Sequence, residues 1–148
     1  MSTPRVAGYS GKALPEKLGY KPGTVVAFLA LPESLAGLPL STAFAEITRR
    51  KDWATALAPL TFDLIHAFTT GRAEIADHLA SLEAALKPDG AIWVSWPKKA
   101  AKVQTDVTED VVRAEALKLD LVDVKVAAVD AVWSGLKLVI RKERRQAR

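Results

Sequence analysis

Runs of apolar residues and the breaks between them divide this chain into short strand-like and helix-like segments. Residues 24–30 (TVVAFLA) and 62–68 (FDLIHAF) are apolar nearly throughout, as expected of strands covered on both faces. Apolar residues within 75–86 recur at steps of four, three and four, which predicts a helix with one buried face. Pro-Asp-Gly at 88–90 is expected to end that helix and lead into a third strand at 91–96.

The last third of the chain changes to a two-residue alternation. Residues 122–126 and 136–140 alternate in this way on either side of a turn at Ser134-Gly135, which predicts an antiparallel hairpin. Before the hairpin, Asp106 and Glu109 are spaced as a capping box for one further helix.

The order of these segments predicts an α/β fold. Strand, helix, strand, helix and hairpin fit a three-layer Rossmann-like architecture, with a mainly parallel sheet, helices on both faces and a C-terminal antiparallel hairpin. Residues 31–60 show little beyond a short strand near 42–48, so their structure is left open. One core is sufficient for 148 residues. Residues 1–141 are expected to form a single Rossmann-like domain, followed by a flexible basic tail at 142–148.

Composition and charge exclude several classes of protein. A hydrophobic fraction of 49% and a charged fraction of 26% are typical of a globular chain, and no apolar run is long enough for a membrane helix. Because the chain has no cysteine and no signal-like start, a cytoplasmic protein without a metal site or a membrane partner is expected. Residues 141–148 carry five positive charges and one negative charge, which accounts for the whole net charge of +4. The body is thus formally neutral, and nucleic-acid binding is expected only through the tail.

Several blocks of the sequence resemble known families. The second half is similar to class I methyltransferases in its strand starting FDL, its helix ending LKPDG, the apolar strand that follows and the closing hairpin. Residues 7–142 also resemble a small uncharacterised bacterial family, domain-of-unknown-function family 3052, through AGYSGK, KLGYKPG, PDGAIWVSWPKKA, TEDVVR and VDAVWSGLKLVIRK. This resemblance implies a Rossmann-like fold. It brings no established activity and therefore assigns no site residue.

The exit of the first strand decides whether S-adenosylmethionine is expected as a cofactor. The methyltransferase fold usually has a glycine-rich turn there, which lets the backbone approach the ligand closely. Residues 31–38 (LPESLAGL) contain one late glycine and an early proline, so S-adenosylmethionine is disfavoured and no cofactor is expected. Glu46, in the short strand near 42–48, is the available candidate for a ribose contact. An ordinary exposed strand residue is the simpler interpretation.

Ligands of open parallel sheets bind outside the carboxyl ends of the strands, where the strand order reverses. This rule predicts a crevice between the exits of the strands at 24–30 and 62–68, with the stretch IWVSWPKK at 92–99 beside it. Free amides at a helix start, together with nearby cations, would hold a small anionic ligand. The candidate binding residues are Thr70, Gly71, Arg72, Trp96, Lys98 and Lys99. Lysines that serve only solubility are the alternative interpretation.

No catalytic set can be assembled from the remaining residues. His66 lies inside an apolar strand, as expected of a hydrogen-bonded core histidine, and His78 falls on the polar flank of its helix. No Gly-x-Ser-x-Gly turn marks a nucleophile. Trp93 and Trp96 are three residues apart on one strand, so they are expected to point to opposite faces of the sheet.

The sequence therefore favours a non-catalytic or regulatory module that binds a small anionic ligand on a methyltransferase-like fold. Two alternatives stay open. One is a methyltransferase that depends on S-adenosylmethionine and has an atypical cofactor site, and the other is a structural or interaction protein. Homo-oligomerisation is left open as well.

Overall fold

Six strands form one sheet in this structure, a computed structural model that describes residues 13–148. The strands in chain order are β1 Val25–Leu29, β2 Glu46–Arg50, β3 Phe62–Phe68, β4 Leu86–Pro97, β5 Leu121–Ala128 and β6 Trp133–Ile140. Their order across the sheet is β2-β1-β3-β4-β6-β5. The first four are parallel, and β6 runs antiparallel to both β4 and β5. The predicted α/β class with a C-terminal antiparallel hairpin is confirmed. The AGYSGK block, one of those that carry the family resemblance, lies outside the described residues.

The two faces of the sheet are covered differently. The longer helices, α2 Arg72–Ala85 and α3 Glu109–Leu117, pack on one face. The opposite face is covered by α1 Leu14–Lys17 and by two 3-10 turns, Glu33–Leu35 and Leu38–Leu40. Within residues 13–148, no helix has both the length and the apolar character that a membrane crossing requires.

The sheet separates two hydrophobic layers. The helix-side core lies under α2 and α3 and contains Trp96, and the second core lies on the other face and contains Trp93. These two tryptophans therefore point to opposite faces, as the spacing predicted. Trp93 is fully buried, and its indole Nε1 donates a hydrogen bond of 2.7 Å to the carbonyl oxygen of Leu18. This bond ties the segment after α1 to the middle of the sheet.

The transition from α2 to β4 is tighter than predicted. The helix ends at Ala85 and the strand begins at once, because Leu86 already pairs with Phe62 of β3. The next pair in the register joins Ala91 to Leu64, so the intervening residues of β4 form an irregularity in the pairing. Gly90 is required there, since a Cβ at this position would lie 2.9 Å from the carbonyl oxygen of Phe62.

The hairpin turn lies elsewhere than predicted. Ser134 and Gly135 are inside β6, and the connection runs through residues 129–132. The Asp130 carboxylate closes it by accepting hydrogen bonds from the backbone N–H groups of Val132 and Trp133. Gly135 is needed for close packing and not for a turn, because a Cβ on it would lie 3.0 Å from the Trp93 ring.

The C-terminal basic segment contacts the body of the protein. Residues Lys142–Ala147 form a 3-10 helix, and the Arg148 guanidinium lies 2.9 Å from carboxylate oxygens of both Glu83 and Asp120. Arg144 also contacts Asp120. These contacts do not measure motion, so the flexibility expected of residues 142–148 stays a prediction.

Candidate functional site

The strand order reverses between β1 and β3, where the sequence placed the crevice. From β1 the chain continues to β2 on one side, and it then returns to β3 on the other side. All three strands are parallel, so their carboxyl ends share one edge of the sheet with the end of β4. A cleft opens on either side of this reversal point, and both lie at the carboxyl ends of the strands.

The first cleft lies at the exits of β1 and β2. It has a volume of about 420 Å³ and is lined by Ala30, Leu31, Arg49, Arg50 and Lys51. Ala30 has a φ of 54°, a left-handed conformation that favours glycine, and its N–H donates to the Arg50 carbonyl oxygen at 2.9 Å. The turn after β1 thus adopts the backbone conformation of a glycine turn while it carries a side chain.

Three consecutive cations give the first cleft its charge. Arg49, Arg50 and Lys51 are exposed at the end of the edge strand, and none of them forms an ion pair with another residue in the described part of the chain. Sequence reasoning missed these residues because it placed the second strand near 42–48. A run of three basic residues at a strand exit was the signal that could have revealed them.

Glu46 is the ordinary exposed strand residue that the sequence favoured, and its position excludes the alternative of a ribose contact. Glu46 begins β2 and pairs with Val25, the first residue of β1, so it lies at the edge of the sheet opposite the clefts. Asp52 follows the exit of β2 and lies about 20 residues after the β1 turn, which is the spacing of ribose-binding carboxylates in this class of sheet. Its Oδ1 accepts a hydrogen bond of 3.0 Å from the Ala54 N–H.

The second cleft lies on the other side of the reversal point, beside the exit of β3. It has a volume of about 540 Å³ and is lined by Thr70, Gln104, Thr105 and Asp106. The Thr105 hydroxyl donates a hydrogen bond of 2.7 Å to the Thr70 carbonyl oxygen. This bond fixes the loop before α3 against the start of α2.

Two amides at the start of α2 already have acceptors within the protein. The Arg72 N–H donates to Asp106 Oδ1 at 2.7 Å, and the Gly71 N–H donates to the Thr69 hydroxyl at 3.1 Å. The predicted capping box of Asp106 with Glu109 is therefore wrong, since Asp106 caps α2 and Thr108 is the N-cap of α3. An external anion at the Arg72 amide would have to displace the Asp106 carboxylate.

The Arg72 guanidinium is directed toward α3. Its Nε and Nη2 donate to Glu115 Oε2 at 3.2 and 3.0 Å, and the Lys118 amine lies 3.1 Å from the same oxygen. Glu115 is only 6% exposed. Burial raises the pKa of the Glu115 carboxyl, but the hydrogen bonds and charges of Lys118 and Arg72 together lower it below its ordinary value.

The six predicted binding residues are divided between different surroundings. Thr70 lines the second cleft, Gly71 and Arg72 are bonded as described above, and Trp96 is buried in the helix-side core. The Lys98 backbone N–H donates to the Val132 carbonyl oxygen at 2.6 Å. Lys99 is exposed at the start of a 3-10 turn. Arg72 and Lys98 therefore have different partners, and anion binding by the six residues stays a prediction.

Three buried polar side chains are joined by hydrogen bonds across the second core. The Tyr20 hydroxyl lies 2.7 Å from His66 Nδ1, and His66 Nε2 lies 2.8 Å from the Ser95 hydroxyl. His66 is fully buried, and burial lowers the pKa of its imidazole to about 3. Burial also raises the pKa of the Tyr20 phenol. His66 is therefore the hydrogen-bonded core histidine that the sequence predicted, whereas His78 is half-buried on α2.

No family model matches the chain, and none of the curated proteins matches it. The resemblance to domain-of-unknown-function family 3052 therefore stays a prediction. Among residues 13–148, no group of histidine and carboxylate side chains is arranged to hold a metal ion.

Several solved structures with a similar fold are named as methyltransferases. A TehB-like SAM-dependent methyltransferase from Corynebacterium glutamicum matches with a TM-score of 0.61 and 13% identity, over 91% of each chain. A putative type 11 methyltransferase from Sulfolobus solfataricus matches with a TM-score of 0.63 and 13% identity, over 87% of this chain and 90% of the other. A putative sarcosine dimethylglycine methyltransferase from Galdieria sulphuraria matches with a TM-score of 0.59 and 10% identity, over 84% and 83%. At these identities the likeness concerns the fold, and this chain has the Rossmann-like fold of SAM-dependent methyltransferases.

Proposed function

We propose that this protein binds a small anionic ligand in the first cleft. The observation that carries the proposal is the position of Arg49, Arg50 and Lys51 along a cleft at the carboxyl edge of the sheet, beside the reversal of strand order. Guanidinium and ammonium groups that lack an internal carboxylate partner are suited to phosphate or carboxylate groups. A nucleotide or a similar phosphate-bearing molecule is the ligand class that this chemistry fits.

The cofactor of the similar structures fits the first cleft poorly. S-adenosylmethionine carries a sulfonium and an ammonium group against a single carboxylate, so adjacent cations oppose its binding. Leu31 and Pro32 follow Ala30 at the turn, and their side chains stand where a glycine-rich turn would allow close backbone approach. Asp52 has the spacing of a ribose contact, but it is not among the residues that line this cleft. We therefore derive no reaction step through this cofactor.

Methyl transfer is the second candidate function, and the comparisons favour it over a non-catalytic role. The similar structures reported above are described as methyltransferases. Two clefts flank the reversal point, which leaves room for a methyl donor on the β2 side and an acceptor on the β3 side. This function would require a cofactor site in which Asp52 and the loop after β1 replace the glycine-rich turn.

Calorimetric titration with adenosine diphosphate, pyrophosphate, S-adenosylmethionine and S-adenosylhomocysteine separates the two functions. We expect adenosine diphosphate or pyrophosphate to bind the wild type, and the variant Arg50→Gln/Lys51→Gln to lose at least about tenfold in affinity, since each charged hydrogen bond contributes about 1.5–3 kcal/mol. The control Lys102→Gln/Lys142→Gln removes the same charge from exposed positions outside the first cleft. It should keep wild-type affinity.

Two outcomes would reject anion binding in the first cleft. One is equal loss of affinity in both double variants, which would reflect net charge alone. The other is micromolar binding of S-adenosylmethionine without binding of either phosphate compound, which would favour the methyltransferase candidate in its place.

A further inference from the structure

The loop that follows β2 is fixed to the body of the protein at two points. Arg50, the last residue of β2, accepts a hydrogen bond of 2.9 Å at its carbonyl oxygen from the Ala30 N–H. Trp53 is fully buried, and its indole Nε1 donates to the Phe68 carbonyl oxygen at 2.8 Å. Lys51 lines the first cleft and lies between these two points, so the position of its amine depends on both of them.

A carboxylate of α2 holds the second of these points through the backbone. Glu74 lies in the first turn of α2, and its Oε2 accepts a hydrogen bond of 3.3 Å from the Trp53 backbone N–H. Its other oxygen, Oε1, accepts a hydrogen bond of 2.6 Å from the hydroxyl of Thr69, which follows β3. One side chain therefore joins the loop after β2 to the turn after β3, across the reversal point.

Thr69 gives the Glu74 carboxylate a fixed support. Thr69 is buried, and its backbone N–H donates a hydrogen bond of 3.0 Å to the Ser95 carbonyl oxygen in β4. Its hydroxyl also accepts a hydrogen bond of 3.1 Å from the Gly71 N–H. Because these bonds fix the hydroxyl that Glu74 accepts from, the Trp53 amide donates to an oxygen whose position is set by the sheet.

We propose that Glu74 is a positioning residue for anion binding in the first cleft, an inference that rests on the function proposed above. By its charge alone, a carboxylate near three cations weakens their attraction for an anion, so its removal would favour binding. Positioning has the opposite effect. Without its acceptor, the loop that carries Lys51 is less ordered in the free protein, and ordering it on binding costs conformational entropy. The direction of the change in affinity therefore separates positioning from charge.

The test is calorimetric titration of the wild type and three variants with pyrophosphate. We expect Glu74→Ala to weaken binding about fivefold, which is the contribution of one typical hydrogen bond. Glu74→Gln removes the same charge but keeps a carbonyl oxygen that can accept from the Trp53 amide, so its affinity should equal or exceed that of the wild type. The control Asp77→Ala removes a negative charge from an exposed position on the same helix, and it should bind at least as tightly as the wild type.

Amide hydrogen exchange in the proteins without ligand tests the loop directly. The Trp53 amide should exchange about fivefold faster in Glu74→Ala than in the wild type or Asp77→Ala, because loss of its acceptor favours local opening. The amide of Ile65, in the central strand β3, reports opening of the whole sheet. Equal acceleration at Ile65 and Trp53 would assign the effect to overall stability and overturn the proposal.

The remaining outcomes separate this inference from the function on which it rests. Tighter pyrophosphate binding by both Glu74 variants would mean that the carboxylate acts through its charge, and unchanged exchange of the Trp53 amide in Glu74→Ala would mean that it does not hold the loop. Either result would overturn the positioning role. Absence of pyrophosphate binding by the wild type would instead reject the proposed function, since the exchange rates decide separately whether Glu74 holds the loop.

Discussion

Replacing Trp53 by alanine is expected to lower the free energy of unfolding by about 3–5 kcal/mol, the largest effect of any substitution near the clefts. Trp53 lies in the loop after β2, yet it is fully buried in the helix-side core. Its indole Nε1 donates a hydrogen bond of 2.8 Å to the carbonyl oxygen of Phe68, the last residue of β3. The side chain thus joins the loops on both sides of the reversal point, and urea unfolding would measure its contribution.

A second substitution separates packing from hydrogen bonding at this position. Trp53→Phe keeps a large aromatic side chain and removes the N–H donor, so we expect a loss of about 1–2 kcal/mol. A loss below about 1 kcal/mol for Trp53→Ala would contradict the buried position, because exposed substitutions typically stay within about 0.5 kcal/mol.

Acid is expected to destabilise the protein through His66 in the window from pH 6.5 down to pH 3. The pKa of this imidazole is lowered from 6.5 to about 3 in the folded protein, mainly by burial. Between these values the unfolded chain binds a proton that the folded chain does not, so stability falls as the pH falls. One proton corresponds to about 1.4 kcal/mol per pH unit, or about 3 kcal/mol between pH 6.5 and pH 4.

Comparison with His66→Gln isolates this effect from the carboxylates, which also titrate in acid. The variant should be less stable than the wild type at pH 7, because Tyr20 and Ser95 lose their partner. The difference in free energy of unfolding between the wild type and the variant should shrink by about 3 kcal/mol between pH 7 and pH 4, as measured by urea unfolding at each pH. Parallel stability curves for the two proteins would mean that His66 is accessible to protons in the folded state.

The elements that the sequence predicted well are those in which burial repeats regularly. Residues 62–68 were predicted as a strand and form β3, and the apolar stripe of α2 faces the helix-side core through Ile75, Leu79 and Leu82. The edge strand β2 was misplaced because its sequence EITRR contains a single apolar side chain, and hydrogen bonding to β1 defines it instead. Apolar periodicity carries no information about such a strand.

The site was predicted less completely than the fold, and for a related reason. The rule for parallel sheets located the reversal point, but the cations of the first cleft depend on where β2 ends. The cap of α2 by Asp106 joins residues 34 positions apart, and local spacing cannot show it. The formal neutrality of the body likewise concealed that Lys125 and Lys137 lie opposite each other in the pairing of β5 with β6. Charges that cancel in the sequence are separated in space.

The two outer strands of the sheet differ in how they would meet another chain. Outer strands expose unpaired backbone groups that can add a foreign strand, and proteins limit this with short, charged or irregular edges. β2 is five residues long and ends in two arginines, so repulsion opposes the stacking of two copies along that edge. β5 exposes Val124 and Val126, but its pairing with β6 is irregular between Asp123 and Lys125, and Lys125 adds a charge there. Neutralising the lysines of this hairpin would therefore remove a barrier to aggregation at the β5 edge, even if the fold itself became more stable.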